Sequence, residues 1–540
     1  MIVGLDVGTS VAKAVAFDEQ GETVAVEARP TRLLRPAPER VEQDAGEVVA
    51  CALEVLAALR SRVGGELRAI GITGQGDGLW LLDADGAPVR PAISWMDGRA
   101  GALVSGWFAD GTFDALYRRT GNAPFPGAGA PLLAALEREE PATLDRAATA
   151  AHCKDVVMQR LTGLRATDLS DASNLFFDPA ARERDGELLA LLGLEHRAGL
   201  LPPLPPGGSL PLGALTAGAA AAAGLPAGLP VVAAPYDLPA SALGAGVEAV
   251  GDGLLIAGTT LACEVVTDRL AHERGEPAGQ TLCLADADAD AAAGAGARAT
   301  DAIAFAEAAR AARAAAVRAT DTASGADAAA WPAANRRWLR AMPAMTGTAA
   351  LDWALSLTGE THARLGALLA ASPPGAHGVR VLPLLAPAGE RAPFVSPDAR
   401  GRLDGIELGT TSADVVRAFC EGLACAARDC FEAAGLTGAV AVCGGGAASR
   451  AWLQLFADLV QRPLRIARGP EVGARGASLA AARALGLDVD PAAWTRSDEW
   501  VEPDPAAAEF AAARFARYRQ DVADARARWS SPTRADVVAD

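Results

Sequence analysis

The chain opens with three short apolar runs, MIVGLDVG, VAKAVAFD and TVAVEARP, rich in β-branched residues and separated by bends that contain Gly. That pattern predicts an antiparallel meander of strands. A helical pattern follows from Asp44 to about Arg62, and LRAIGIT predicts another strand running into the loop GQGDG, with LWLLDADG and ISWMDGR beyond it. Strand, helix and strand in alternation indicate α/β architecture. Near residue 250 the pattern restarts, since DGLLIAGTTLACEVV predicts strand, Gly-Thr-Thr turn and strand, echoing LDVGTSVAKAV. An internal duplication with its boundary near Val247 is therefore expected. The second half carries a helix from Thr411 to about Ala434, opened by Thr411 and Asp414 as an acidic capping box. A Gly-rich turn at 444–446 and a last helix ending near Leu485 complete it.

Between Ala285 and Trp331 large apolar residues nearly vanish, apart from a helical pattern over Ala302 to Ala319. A stretch of that composition is expected to be an insertion with little core of its own. The expected division is 1–246, 247–500 with the insertion at 285–331, and a helical tail over 501–540 that packs on the second domain. The length of 540 residues agrees with more than one core, because single cores stop growing at roughly 250 to 300 residues.

Charge narrows the function. A net charge of −17 argues against nucleic acid and anionic membrane surfaces as partners. No charged-then-apolar segment opens the chain, and Pro and Gly break the Ala-rich stretch from Gly213 to Pro235 well short of a membrane span. A soluble cytoplasmic protein is expected. The eight Cys include no CxxC pair and three of them, at 420, 425 and 430, fall on one helix, so they read as buried free thiols.

Three segments carry candidate chemistry. LDVGTSVAK places Asp6 at a strand end, a turn of Gly8, Thr9 and Ser10, and then Lys13. Such a turn presents main-chain N–H groups and hydroxyls to phosphate oxygens, while Asp6 can hold Mg²⁺ and Lys13 can neutralise a transferring phosphoryl group. The alternative is an ordinary hairpin with a surface lysine. A hairpin of the same design recurs at Gly258, Thr259 and Thr260. In APYDLPASALGAG the acid Asp237 follows the strand LPVVAAP, where a carboxylate can take the proton of an attacking alcohol. A helix N-cap is its alternative role. GGGAAS after the strand AVAVC lets backbone approach a nucleotide.

Taken in order, these segments resemble the FGGY family of carbohydrate kinases. GITGQGDGLWLLD is similar to the family's Gly-Gln substrate loop, PAISWMDGR to its Trp-x-Asp-x-Arg segment, and TGN at 120–122 to a following marker. HCKDVVMQRLTGLRATDLSDAS resembles its Lys-Asp, Leu-Thr-Gly and Thr-Asp stretch, and GERAPF, DARGRLDGIEL and GGGAASRAWLQLFADLVQRPL resemble its nucleotide-domain signatures. The resemblance covers nearly everything outside 285–331 and the final tail. It implies two ribonuclease H-like domains of the actin-like ATPase superfamily around a cleft, with sugar held mainly by the first and ATP and Mg²⁺ mainly by the second.

By that resemblance Asp237 is the catalytic base, Asp6 the magnesium-associated acid and Lys13 the basic residue near the γ-phosphate, with Asp6 and Asp237 together as candidate metal ligands. Gly8, Thr9, Ser10, Gly258, Thr259 and Thr260 form the phosphate hairpins, and Gly445, Gly446 and Ala447 lie in the adenosine loop. Gly76, Asp77, Trp95 and Asp97 occupy substrate positions, with the Trp95 indole expected to pack on the carbon chain and donate its N–H to the substrate. The pair Gly76 and Asp77 departs from the Met-His of typical D-xylulose kinases, and GQGDG, HCKD and RATD look closer to erythritol kinases and other polyol-type members. The expected function is ATP-dependent phosphorylation of a small open-chain polyol, erythritol first. Xylulokinase or another pentulose kinase is the alternative, and a non-catalytic sugar or nucleotide sensor is the alternative from another class. The expected partner is a small sugar or polyol, with homodimerisation left open.

Overall fold

The computed structural model describes residues 1–270, 276–284 and 336–529. The insertion expected over 285–331, its helix at 302–319 and the last part of the tail lie outside the described residues.

The opening meander forms as its alternation predicts: β1 (Ile2–Val7), β2 (Val11–Phe17) and β3 (Thr23–Pro30) pair antiparallel. Helix α1 (Ala45–Arg62) begins at Asp44, whose carboxylate accepts from the N–H groups of Gly46 and Glu47 and so satisfies two of the unpaired donors at a helix start. β4 (Ala69–Gly74) then pairs parallel with β1. After α2 (Cys153–Thr162) and the edge strand β5 (Leu212–Ala214), β6 (Pro230–Ala233) pairs parallel with β4. The sheet order is β5-β6-β4-β1-β2-β3, and α3 (Asp237–Gly244) leaves β6.

A second sheet repeats the plan. β7 (Gly253–Ala257), β8 (Leu261–Thr267) and β10 (Trp338–Ala344) form a meander, with β9 (Gln280–Cys283) added outside β10. Helix α4 (Ser412–Ala434), opened by the Thr411–Asp414 capping box, leads to β11 (Val440–Cys443). Then come α5 (Arg450–Val460), β12 (Leu464–Ile466), α6 (Val472–Ala484), β13 (Trp500–Val501) and α7 (Ala508–Trp529). β11 pairs parallel with β7, and β12 parallel with β11. Without the edge strands β5, β9 and β13, the two sheets share one order, β3-β2-β1-β4-β6 against β10-β8-β7-β11-β12.

The halves are not packed as separate bodies. Helix α6 leaves the second sheet yet lies on the first, where a Cβ on Gly4 or Gly71 would fall 2.0 Å from the carbonyl oxygen of Ala474 or Ala477. It also crosses α3 so closely that Cβ atoms on Gly244 and Gly476 would fall 1.8 Å from the carbonyl oxygens of Val472 and Ala240. Only residues without a side chain permit this approach, which packs the second half of α3 against the first turns of α6. The boundary expected at 500/501 falls inside β13, which pairs with β12. Beyond it, α7 buries Phe515, Tyr518 and Val522 in the core of the second half. All eight cysteines are free and buried. Among the described residues no helix is long and apolar enough to cross a membrane.

Candidate active site

Asp6, Lys13, Asp237 and Glu471 come close enough to feel one another's charge. Asp6 lies near the end of β1, opposite Lys13 of β2 in the antiparallel register. Burial pushes its carboxyl up to about 6, with Lys13 opposing the shift and Glu471 adding to it. Lys13 is not free, because its ammonium pairs with Glu471 Oε2 at 2.9 Å. Glu471 immediately precedes α6. Asp237 is the first residue of α3, and the cap position belongs to Tyr236. The N-cap role is thus not the one Asp237 takes. Burial and the neighbouring charges of Asp6 and Asp171 push its carboxyl well above the ordinary range. Glu264 of β8 is completely buried without a hydrogen bond to either oxygen among the described residues, and lies close enough to Asp237 to feel its charge.

The two hairpins differ in what they leave open. The Thr9 hydroxyl donates to Gln75 Oε1 at 3.0 Å and accepts from the indole N–H of Trp95 at 2.8 Å. Trp95 therefore gives its N–H to the hairpin, not to a substrate, which corrects the sequence expectation, and the Thr9 hydroxyl proton is spent on Gln75. Its indole carries the Arg391 guanidinium, 5.7 Å from the ring centroid, and the same guanidinium stacks at 4.8 Å over Phe125. In the second hairpin no hydrogen bond among the described residues engages the hydroxyl of Thr259 or Thr260. Its backbone is anchored from below by the N–H groups of Gly347 and Thr348 at 2.9 and 2.8 Å. Gly258 and Gly445 both face space that a Cβ would enter without collision, whereas Gly446 packs against Ala257 and Trp452. The residues thus fit the groups expected of them: unpaired carboxylates suit a hard divalent cation, and open glycines suit a nucleotide.

Between the halves runs a cleft of about 830 Å³ whose walls include Trp95 and Phe125 from the first and Thr260, Gln280 and Arg391 from the second. A side chamber of about 40 Å³ opens around Asp77, Asn174 and Gln280. Asp77 sits in the left-handed region at φ 54, an unusual conformation for a residue with a side chain. Its Oδ2 accepts from Gln280 Nε2 at 2.9 Å, and its buried Oδ1 has no partner. Burial raises its carboxyl, with the Gln280 hydrogen bond and the Arg391 charge opposing. Gly76 serves by absence, since a Cβ there would meet the ring of Tyr236 at 2.5 Å. Asp97 departs from expectation. Its oxygens accept from the Val41 N–H at 2.6 Å and from Arg99 at 2.8 to 2.9 Å, so it braces the loop that carries Trp95 and offers no free oxygen.

Under the chamber, Lys154 is completely buried with its ammonium 3.0, 2.8 and 3.0 Å from Asp155, Asp168 and Asp171. Burial works against this charge, but the three carboxylates outweigh it and raise the lysine well above its ordinary value. His152, Asp155 and Asp171 have the mutual spacing of a metal site. The lysine already supplies the cation there.

Sequence reasoning missed Glu471, Glu264, Tyr236, Asn174 and Gln280. Only Lys154 gave a local signal, a lysine inside the apolar helix α2 followed by acids.

Two sheets of one strand order with a cleft between them are the two-domain architecture of the actin-like ATPase superfamily. Residues 1–244 match the N-terminal domain, and residues 326–485 the C-terminal domain, of the FGGY family of carbohydrate kinases. The chain is 34% identical over 543 residues to the erythritol kinase of Brucella abortus (strain 2308), covering 96% of this chain and 94% of that protein. It is 29% identical over 500 residues to the xylulose kinase of Escherichia coli (strain K12), covering 91% and 90%. The ligand-bound xylulose kinase from Lactobacillus acidophilus shares the fold with a TM-score of 0.82 at 21% identity, over 98% of this chain and 99% of that one. This chain belongs to the FGGY family of carbohydrate kinases and is a phosphotransferase.

Proposed function

We propose that the enzyme transfers the γ-phosphoryl group of ATP to a hydroxyl of a small open-chain polyol, erythritol first. The observation that carries this reading is Asp77, a buried carboxylate in a chamber with one oxygen unpartnered. An acceptor of that kind satisfies a hydroxyl, which has a proton to give, better than a carbonyl. The 34% identity to an erythritol kinase supports the same choice.

In this reading the first half binds the polyol and the second half the nucleotide. Asp237 accepts the proton of the attacking hydroxyl, and its raised carboxyl is a stronger base than an ordinary carboxylate. Asp6 and Asp237 are the residues that would hold Mg²⁺, which when bound supplies neutralisation of phosphate charge. Thr259 and Thr260 offer hydroxyls to phosphate oxygens, and Gly445 leaves room for the nucleoside. Lys13 shares its charge between Glu471 and the phosphoryl group. Phe125 and the apolar cleft wall exclude water that would otherwise take the phosphoryl group.

The xylulose kinase relatives favour a second reading, a pentulose acceptor. A coupled ADP-release assay over erythritol, ribitol, D-xylulose and L-xylulose separates the two. The highest kcat/KM for a polyol is expected. A clear preference for D-xylulose overturns the polyol reading and leaves the kinase, whereas no release on any of the four sugars overturns both acceptor readings.

A further inference from the structure

Strand β9 belongs to the second sheet, yet along its length it is hydrogen-bonded to loops of the first half. The Ala123 N–H donates to Gly279 O at 2.9 Å, the Thr281 N–H to Asn122 Oδ1 at 2.6 Å and the Cys283 N–H to Ser173 Oγ at 3.0 Å. Between these contacts the side chain of Gln280, 5% exposed, enters the wall shared by the cleft and the chamber. Its amide nitrogen faces two acceptors, Asp77 Oδ2 at 2.9 Å and Asn174 Oδ1 at 3.2 Å. Two acceptors around one amide atom require that atom to be the nitrogen, which leaves Oε1 as the unspent face. Among the described residues no hydrogen bond occupies it.

Resting on the polyol reading above, we infer that Gln280, supplied by the half that carries the nucleotide hairpin, touches the substrate and sets its class. The unspent atoms around the chamber form a pattern. Asp77 Oδ1 has no partner, and the Asn174 amide and the Tyr236 hydroxyl face each other without meeting hydrogen-bond geometry; all three are buried. Asp77 Oδ1 and Gln280 Oε1 present two acceptors, beside an Asn174–Tyr236 pair that can open to give one donor. Two acceptors in one chamber wall match the two hydroxyl donors of a diol terminus. A ketose terminus keeps its C1 hydroxyl but puts a carbonyl, which has no proton to give, in place of the second, so one buried acceptor is left unpaired, and a site built for a hydroxyl discriminates by that loss. Gln280 also holds Asp77 and Asn174 in register by its own two N–H groups. Substrate choice therefore depends on a residue that arrives from the second sheet, and the pocket is complete only while β9 is docked.

The test is steady-state kinetics of the full chain carrying Gln280→Leu or Gln280→Asn over erythritol, ribitol and D-xylulose, with ATP varied separately. Both variants are expected to raise KM for erythritol about 10- to 100-fold. The ratio of kcat/KM for erythritol over D-xylulose falls with it, while KM for ATP stays within about twofold. Calorimetric titration with erythritol in the absence of nucleotide shows the same loss without reference to turnover. Unchanged KM for every sugar overturns the proposal, and so do equal losses for all sugars and ATP, which reduce Gln280 to a brace. Gln280→Asn keeps the amide and withdraws its reach, so it carries the test if Gln280→Leu misfolds. A wild type that prefers D-xylulose sinks the polyol reading alone. Gln280 then stands as a substrate contact if its variants raise KM for D-xylulose, and falls if they do not.

Discussion

The two halves share a strand order but divide the chemistry unequally. In the first meander, Asp6 stands opposite Lys13, so a carboxylate and an ammonium flank the turn. At the matching place in the second, Ile256 stands opposite Ala262, and neither side chain carries charge. The turns differ by one residue, since Val7 pairs with Ala12 whereas Ala257 pairs with Leu261. The helices that follow the last parallel strands also correspond. One opens with Asp237, whose carboxyl is pushed well above its ordinary range by burial, and the other follows Glu471, whose carboxylate is held by Lys13. The two sheets share one order, but the first turn is flanked by charged side chains and the second by free hydroxyls and an open glycine.

The comparison breaks most decisively at Asp237. Asp237→Asn removes the base while keeping its size, and turnover is expected to fall about 10²- to 10⁴-fold, with sugar and ATP still bound by calorimetry. Turnover within about threefold of wild type removes Asp237 from the base role.

The contact that joins the halves gives the next effect. Gly476→Ala places a Cβ on the backbone of Ala240, and overpacking of this kind costs about 1 to 3 kcal/mol. Gly366 lies in a helix with open space around it, so Gly366→Ala is expected to be neutral or to stabilise by up to about 1 kcal/mol. Urea denaturation of both variants reads the difference. Equal stabilities show that α3 and α6 relax apart without cost.

Local features were legible in the chain where their causes are local. The meander follows from β-branched runs between glycines, and the start of α4 from Thr411 and Asp414, three residues apart. The family motifs drew Asp6, Asp77 and Asp237 toward one place. What escaped are contacts between distant segments. Glu471 meets Lys13 across 458 positions, and Gln280 meets Asp77 across 203. Nothing near either residue announces the partner. Trp95 shows the same limit in reverse, because its indole N–H is spent on Thr9 and only the fold reveals that.

Asp77→Ala sharpens the assignment of the first half as the substrate side. Loss of a buried acceptor costs about 1 to 3 kcal/mol, so KM for the preferred sugar is expected to rise about 10- to 100-fold while KM for ATP holds. A parallel rise for ATP means that Asp77 supports the whole cleft and does not read one ligand.

The smallest effect concerns charge at the turn itself, where Asp6 faces Lys13 and its counterpart Ile256 faces nothing charged. Burial raises the folded carboxyl of Asp6 from 3.8 to about 6. Between those values the folded chain holds a proton that the unfolded chain has released, so this residue lowers stability as pH rises through the window. Below it both forms are protonated and the penalty is absent. Asp6→Asn, which has no proton to lose, is expected to match wild type near pH 4 and to exceed it near pH 7.5 in thermal denaturation with a chelator present. The difference between the two proteins isolates Asp6 from other buried acids such as Glu390, which burial pushes up to about 7. Added Mg²⁺ should then raise the wild-type midpoint more than that of the variant, because a ligand stabilises the form that binds it. A variant that tracks wild type at every pH means that Lys13 already neutralises Asp6 in the folded chain, and that the two hairpins are electrostatically alike.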